Sequence, residues 1–158
     1  MRTIPMLCAA LFALSSASAS VAAPAPAATS TIGELGKTHN LDLGNGSTGM
    51  RLMVPADVVG MAGQTVAAVV WFYDAAGQPI RSAITGWGDA SNHYRIISRD
   101  VVPASARQAV HFDFKVPYCG FPRRSGGRYQ VEARVVLVQR VGEGRVVLAR
   151  RSTTFFVE

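Results

Sequence analysis

The sequence predicts an all-β protein, an immunoglobulin-like antiparallel β-sandwich of about seven to eight strands. From residue 50 onward, apolar and polar side chains alternate with a period of two, which places successive residues on opposite faces of a strand. Turn-forming residues separate the alternating segments at regular intervals, as in sandwiches. Beyond the N-terminal segment no stretch shows the 3.6-residue period of an amphipathic helix. An open or closed barrel is the alternative arrangement of the same strands.

Residues 1–22 have the three parts of a secretory signal peptide. Arg2 supplies the positive start, residues 4–14 form an uncharged apolar run, and small residues follow it. The run is shorter than the roughly 20 apolar residues that a membrane-spanning helix requires. We therefore expect an exported protein, periplasmic or secreted, whose mature chain has no transmembrane segment.

Residues 23–48 are expected to form a flexible linker, and residues 49–158 the β-sandwich domain. The first part of the linker contains Pro and small residues, which cannot bury enough surface to offset the entropy of ordering. The remaining 110 residues have the size of one domain. Cys119 is the single cysteine outside the leader, so no internal disulfide can form and the hydrophobic core must hold the domain.

The first half of the domain contains four segments with a strand pattern. The strongest is 65–73, because it is apolar on both faces and predicts a central strand whose outer side is partly covered. The other three are bounded by Pro or turn residues: 50–54, which ends at Pro55-Ala56-Asp57; 80–84, after a turn at 74–79; and 94–102, which follows the polar stretch 85–93 and ends at Pro103.

The second half contains the clearest alternation. In residues 109–116 we expect four side chains to face inward and those between them to face water. The four are Val110, Phe112, Phe114 and Val116. Residues 128–141 and 145–157 predict two long strands, and Gly142-Glu143-Gly144 between them predicts a hairpin.

Features that could indicate catalysis or a cofactor have simpler structural explanations. The G-x-G-x-x-G spelling at 44–49 precedes a strand instead of a helix, so it predicts a turn and not a dinucleotide site. His39, His93 and His111 are spread along the chain, whereas zinc needs three or four converging ligands. The acidic residues are scattered singly and no Ser lies in G-x-S-x-G. We expect no catalytic residues, no metal and no cofactor.

Cys119 follows an apolar strand, at its end. A lone cysteine is most often a buried, inert core residue, and this is the interpretation that the sequence favours. The alternatives are a disulfide to another chain and a reactive thiolate near Arg123 and Arg124, because neighbouring positive charge lowers the pKa of a thiol.

The arginine excess is the feature with functional content. The chain has sixteen Lys and Arg against ten Asp and Glu, and residues 123–151 contain eight arginines against two glutamates. Guanidinium groups and exposed backbone N–H groups of a Gly-rich loop bind anions. We therefore expect the segment 121–129 to contact a partner, with these binding residues: Arg123, Arg124, Ser125, Arg128 and Tyr129.

The expected partner is an envelope protein or an anionic component of the envelope. Nucleic acid is not expected, because no aromatic platform is interleaved with these arginines. The structural alternative is that the arginines only solvate strand edges and discourage edge-to-edge pairing.

Framework motifs recur in order along residues 49–157. They are Val69 to Asp74 followed by Gly77-Gln78-Pro79-Ile80, then Val116-Pro117-Tyr118, Gly127-Arg128-Tyr129 before a strand, and Ser152 to Val157. In these motifs the chain resembles a bacterial exported immunoglobulin-like β-sandwich module of unknown function. The resemblance implies the same fold and no catalytic residues.

A second, shorter resemblance concerns residues 125–129, which spell S-G-x-x-Y. This is similar to a motif of periplasmic lysozyme inhibitors, although their aromatic-Lys-Gly motif and cysteine pairing are missing here. The sequence therefore predicts a non-catalytic exported binding module of the cell envelope. The alternative is a periplasmic inhibitor of a lysozyme-type cell-wall hydrolase that acts through 121–129, and a small hydrolase or metalloenzyme is the third hypothesis.

Overall fold

The computed structural model describes residues 29–44, 46–123 and 127–157. Within these ranges the chain forms one short 3-10 helix, Tyr118–Gly120, and eight strands. The strands are β1 (Thr31–Ile32), β2 (Gly36–Asp42), β3 (Thr48–Val59), β4 (Val66–Asp74), β5 (Arg95–Ile97), β6 (Arg107–Pro117), β7 (Tyr129–Val141) and β8 (Gly144–Val157). These ranges contain no helical segment with the length and hydropathy that a bilayer crossing requires. The predicted signal peptide, 1–22, lies outside the described residues.

The strands form two antiparallel sheets. In sheet A, β3 pairs along its whole length with β6 on one side and with β1 and β2 on the other. In sheet B the strand order is β5-β4-β7-β8. Both sheets contribute apolar side chains to one core cluster. The predicted all-β antiparallel sandwich of seven to eight strands is confirmed.

The core follows the predicted alternation. The four apolar side chains of β6 that were expected to face inward are at most 5% exposed, while the residues between them are exposed. Phe72 of β4 packs against Tyr94, Phe121 and Phe155, with ring centroids 4.7, 5.1 and 6.3 Å away. Burial raises the pKa of the Tyr94 phenol, which keeps this core hydroxyl protonated.

Strand β4 is central, as predicted, because it lies between β5 and β7. Its inner side chains belong to the main core. Its outer side chains Ala67 and Val69 form a second small apolar cluster with Val138, and Trp71 packs against this cluster. The second cluster explains why this strand is apolar on both faces.

The linker predicted for 23–48 is wrong where the structure describes it. Strands β1 and β2 pair with β3, and Ile32 and Leu35 are buried in the core. Residues 23–28 lie outside the described residues. Hydrogen bonds to the edge of β3 order this segment, and composition alone does not reveal them.

The strand break predicted at Pro55 is also wrong, since β3 continues through it. Gly33 N donates to Pro55 O, so the carbonyl group of Pro55 points away from β6, toward the gap between β1 and β2. Proline has no N–H to donate and is tolerated where a strand edge lacks a continuous partner.

The strands predicted for 80–84 and 94–102 are largely absent from the described chain. Residues 80–84 contribute one isolated bridge, Arg81 with His93, and only Arg95–Ile97 of the second segment is a strand. Side chains satisfy the backbone locally instead: Ile84 N donates to Ser82 Oγ, and His93 N donates to Asp89 Oδ1. Such local bonds compete with a strand ladder.

Candidate functional site

The segment predicted to bind a partner lies at one end of the sandwich, where β6 ends and β7 begins. A cleft of about 810 Å³ opens there. Its described lining comes from the β2–β3 turn, the 3-10 helix and both ends of the segment 121–129, and includes Ser47, Tyr118, Cys119, Phe121, Arg123 and Tyr129. Arg123 is the one charged side chain among the described residues that line it.

Three of the five predicted binding residues can be placed. Arg123 is exposed at the cleft. Tyr129 also lines the cleft, and its hydroxyl donates to Pro122 O at 3.0 Å, which ties the two ends of the segment together. Arg128 is exposed and holds its guanidinium carbon 4.4 Å from the centre of the Phe156 ring. Arg124 and Ser125 lie outside the described residues.

Tyr118 separates this cleft from a second one of about 560 Å³. Arg128, Phe156 and His39 line the second cleft, and Tyr118 lines both. His39 Nδ1 lies 2.8 Å from the Tyr118 hydroxyl, within hydrogen-bond distance. One arginine therefore lies on each side of Tyr118. The sequence did not indicate His39 as part of this end, because β2 was assigned to a linker.

Cys119 is exposed, so the prediction that it is buried is wrong. The 3-10 helix that follows β6 turns its side chain toward the cleft, 3.8 Å from Ser47 Oγ. The next residue, Gly120, is buried against Tyr94, and glycine is required there because any Cβ would collide with the ring and hydroxyl of Tyr94.

The histidines lie in three separate settings. His39 contacts Tyr118, His93 is buried with Nε2 2.9 Å from Phe72 O, and His111 is exposed on β6. In the described ranges no three His, Cys, Asp or Glu side chains are grouped closely enough to hold a metal ion.

The chemistry of the larger cleft suits the binding of an anion. Its described lining offers hydroxyl groups, a thiol and one guanidinium, and within the described part of the chain no carboxylate or imidazole lines it. Guanidinium and hydroxyl groups donate hydrogen bonds to carboxylate or phosphate oxygens.

The outer face of sheet B has a feature that the sequence did not indicate. Arginine and aromatic side chains, although separate in sequence, are interleaved on the outer face of sheet B. Arg95 lies over Trp71 and Arg134 over Tyr73, at 5.5 and 3.8 Å from the ring centres. Strand pairing brings them together, and no local sequence signal could have revealed it.

Comparison with known proteins assigns no family to the chain. No family model matches it, and no curated protein does. The solution structure of AT1g01470 from Arabidopsis thaliana is similar over 82% of this chain and 80% of that chain, with 13% sequence identity and a TM-score of 0.40. This similarity is too low to assign a fold family or a function. The resemblance to a bacterial exported module therefore stays a prediction.

Proposed function

We propose that the protein is a non-catalytic binding module of the cell envelope, exported to the periplasm or secreted, that binds an anionic partner through the end of the sandwich around Tyr118. The observation that carries the proposal is the pair of exposed arginines, Arg123 and Arg128, one on each side of this tyrosine. The partner is an envelope protein with an acidic surface or an anionic envelope component.

The surroundings of these arginines support a binding role. Arg128 rests on the Phe156 ring, and the bond from Tyr129 to Pro122 fixes the spacing of the segment that carries Arg123. A cation held over an aromatic ring loses less freedom when it binds a ligand. A rigid sandwich that presents such groups at the end of its strands is a common arrangement for recognition.

Capture from an envelope extract tests the proposal. The mature chain, immobilised on a resin, is compared with Arg123→Ala/Arg128→Ala and with a matched control, Arg99→Ala/Arg145→Ala. The control removes two exposed arginines near the opposite end of sheet B. We expect the first variant to reduce capture roughly tenfold and the control to retain it. Equal capture by all three proteins, or none by the wild type, contradicts the proposal.

A second candidate is inhibition of a lysozyme-type cell-wall hydrolase by the segment 121–129. The fixed ends of this segment favour it, since a loop that enters an enzyme cleft binds more tightly when it is preorganised. We expect wild-type protein at micromolar concentration to slow lysis of a cell-wall suspension by lysozyme, and Arg128→Ala to slow it less. Unchanged lysis in the presence of the wild type excludes this candidate without affecting the first.

A further inference from the structure

The outer face of sheet B carries a row of side chains that crosses all four strands. Arg95 pairs with Trp71, Trp71 with Arg134, and Arg134 with Ser152. Residues that are directly opposite each other in an antiparallel sheet project to the same face. The four side chains therefore lie side by side, and we call them the cross-strand row.

A groove of about 600 Å³ is lined by three members of this row, Trp71, Arg134 and Ser152. Arg95 lies beside the groove, over the Trp71 ring. Two cross-strand pairs flank the row and also line the groove. Tyr73 with Glu132 lies on one side of the row, and Val136 with Arg150 lies on the other. The groove thus combines aromatic and aliphatic side chains with arginines, a carboxylate and a hydroxyl group.

The guanidinium groups of this face are held in place by neighbouring side chains. Arg134 lies over the Tyr73 ring and donates to Glu132 Oε2 from both Nε and Nη2, at 3.0 and 2.8 Å. Arg95 lies over Trp71. A ring fixes the plane of a guanidinium without using its N–H groups, so Arg95 can bind a planar oxyanion such as a carboxylate through its fork. In Arg134, Nε and Nη2 are already bonded to Glu132.

Charge and ring accessibility narrow the class of ligand. Three arginines, Arg95, Arg134 and Arg150, face one acid, Glu132, so the face attracts anions. The ring of Tyr73 is covered by Arg134, and Trp71 has His93 at 5.0 Å as well as Arg95. Single-stranded nucleic acid binds by stacking bases on free aromatic faces, and this face leaves little of either ring free.

The remaining polar groups favour a sugar ligand. Glu132 accepts hydrogen bonds from Arg134 and Ser152, and the Ser152 hydroxyl oxygen can in turn accept one from a sugar hydroxyl group. Neighbouring strands are about 4.8 Å apart, so the backbones of Arg95 and Arg134 are separated by roughly 10 Å. This distance is comparable with the length of a disaccharide unit.

We infer that the outer face of sheet B binds an acidic polysaccharide with a carboxylate on every second sugar. The polymer lies across the strands along the cross-strand row, with carboxylates on Arg95 and Arg134 or Arg150 and hydroxyl groups on Ser152 and Glu132. This site is separate from the cleft at Tyr118 and does not depend on it.

Isothermal titration of the full chain with a hyaluronan oligosaccharide, which has this carboxylate spacing, tests the inference. We expect binding to hyaluronan and none to a neutral dextran of equal length. Arg134→Gln/Arg150→Gln should weaken it roughly tenfold, and the matched control Arg51→Gln/Arg107→Gln, which removes the same charge from the outer face of sheet A, less than about twofold. Arg123→Ala/Arg128→Ala should bind hyaluronan as the wild type does, which separates this site from the one proposed above.

Three results overturn the inference: no binding of hyaluronan, equal weakening in the two arginine pairs, or tighter binding of an oligothymidylate than of hyaluronan. Thermal unfolding checks that each variant is folded. If Arg134→Gln/Arg150→Gln does not fold, Arg150→Gln replaces it, because Arg150 is exposed and forms no ion pair within the described chain. We expect this single change to weaken binding about threefold, and an unchanged affinity overturns the inference.

Discussion

The outer faces of the two sheets both carry arginines, but the side chains that surround these arginines differ. On sheet A, Arg51 forms an ion pair with Asp113, and Arg107 forms one with Asp57, both across neighbouring strands. On sheet B, Arg95 and Arg134 lie over aromatic rings. Arg134 also forms an ion pair with Glu132, so sheet B adds rings to its arginines and sheet A holds Arg51 and Arg107 by carboxylates.

The difference shows that a net positive charge indicates a binding surface only when the partner of each cation is known. The hydrogen bond and charge of Asp113 raise the pKa of Arg51, but they also occupy the N–H groups that an external anion would need. An aromatic ring orders a guanidinium without using its donors. The two faces are thus expected to differ in anion binding.

Removal of the ring beneath Arg95 is the largest change that this comparison predicts. Trp71 is partly buried against the outer cluster of sheet B, so Trp71→Ala should lower the free energy of unfolding by about 2–4 kcal/mol. Met53, on the outer face of sheet A, is 40% exposed, and Met53→Ala should cost about 0.5 kcal/mol or less. Urea denaturation measures both. Equal losses of unfolding free energy would show that the Trp71 ring contributes no more to packing on sheet B than Met53 does on sheet A.

The next largest effect is expected when a carboxylate is added beside an arginine of sheet B. Ser152→Asp places a second carboxylate beside Arg134, directly opposite it on β8 and in addition to Glu132. We expect hyaluronan binding to fall roughly tenfold, equivalent to about 1.4 kcal/mol. Thr38→Asp is the matched control, because Thr38 is exposed and lies opposite Arg51 on sheet A. It adds the same charge and should change binding less than about twofold. If the two substitutions weakened binding equally, net charge alone, and not the position of the carboxylate, would account for the effect.

The strands that the sequence predicts well are those whose own residues carry the signal. Strand β6 alternates without a break, and β4 is apolar on both faces because each face packs on a cluster. The hairpin between β7 and β8 follows from its turn residues. Each of these patterns is local and depends only on burial.

The strands that the sequence misses depend on a distant partner. Strand β2 has no buried residue and no alternation, and its conformation is set by pairing with β3. Pro55 lies inside β3 because the neighbouring edge is open there, which no property of residues 50–57 reveals.

The candidate sites follow the same division. The clustering of arginines in the sequence is enough to indicate Arg123 and Arg128. His39 beside Tyr118, and Phe156 beneath Arg128, are brought there by the packing of separate strands. The cross-strand row depends entirely on register, and a shift of one residue in any strand would turn its member toward the core.

The smallest predicted effect concerns the carboxylates of the two faces. Hydrogen bonds from Arg51 lower the pKa of Asp113 below its usual 3.8, and those from Arg134 lower the pKa of Glu132 below its usual 4.5. A carboxyl group whose pKa is lower in the folded than in the unfolded state adds stability above its unfolded pKa, and this stability is lost as the pH falls through the folded pKa. Asp113→Asn and Glu132→Gln should therefore each destabilise the protein near neutral pH and should approach the wild type in acid.

Both effects should be small, because the side chains of Asp113 and Glu132 are 49% and 27% exposed. Exposed ion pairs contribute about 0.2–1 kcal/mol. Urea denaturation of the wild type and of each variant, from about pH 7 to about pH 2.5, measures them. A difference from the wild type that persists at the lowest pH would mean that packing, and not charge, accounts for it.

Because each arginine has a comparable ion pair, the two variants should lose similar amounts. A clearly larger loss for Glu132→Gln would show that the position of Arg134 depends on its carboxylate as well as on the Tyr73 ring. The arginines of the two faces would then be held in more similar ways than the aromatic rings of sheet B suggest.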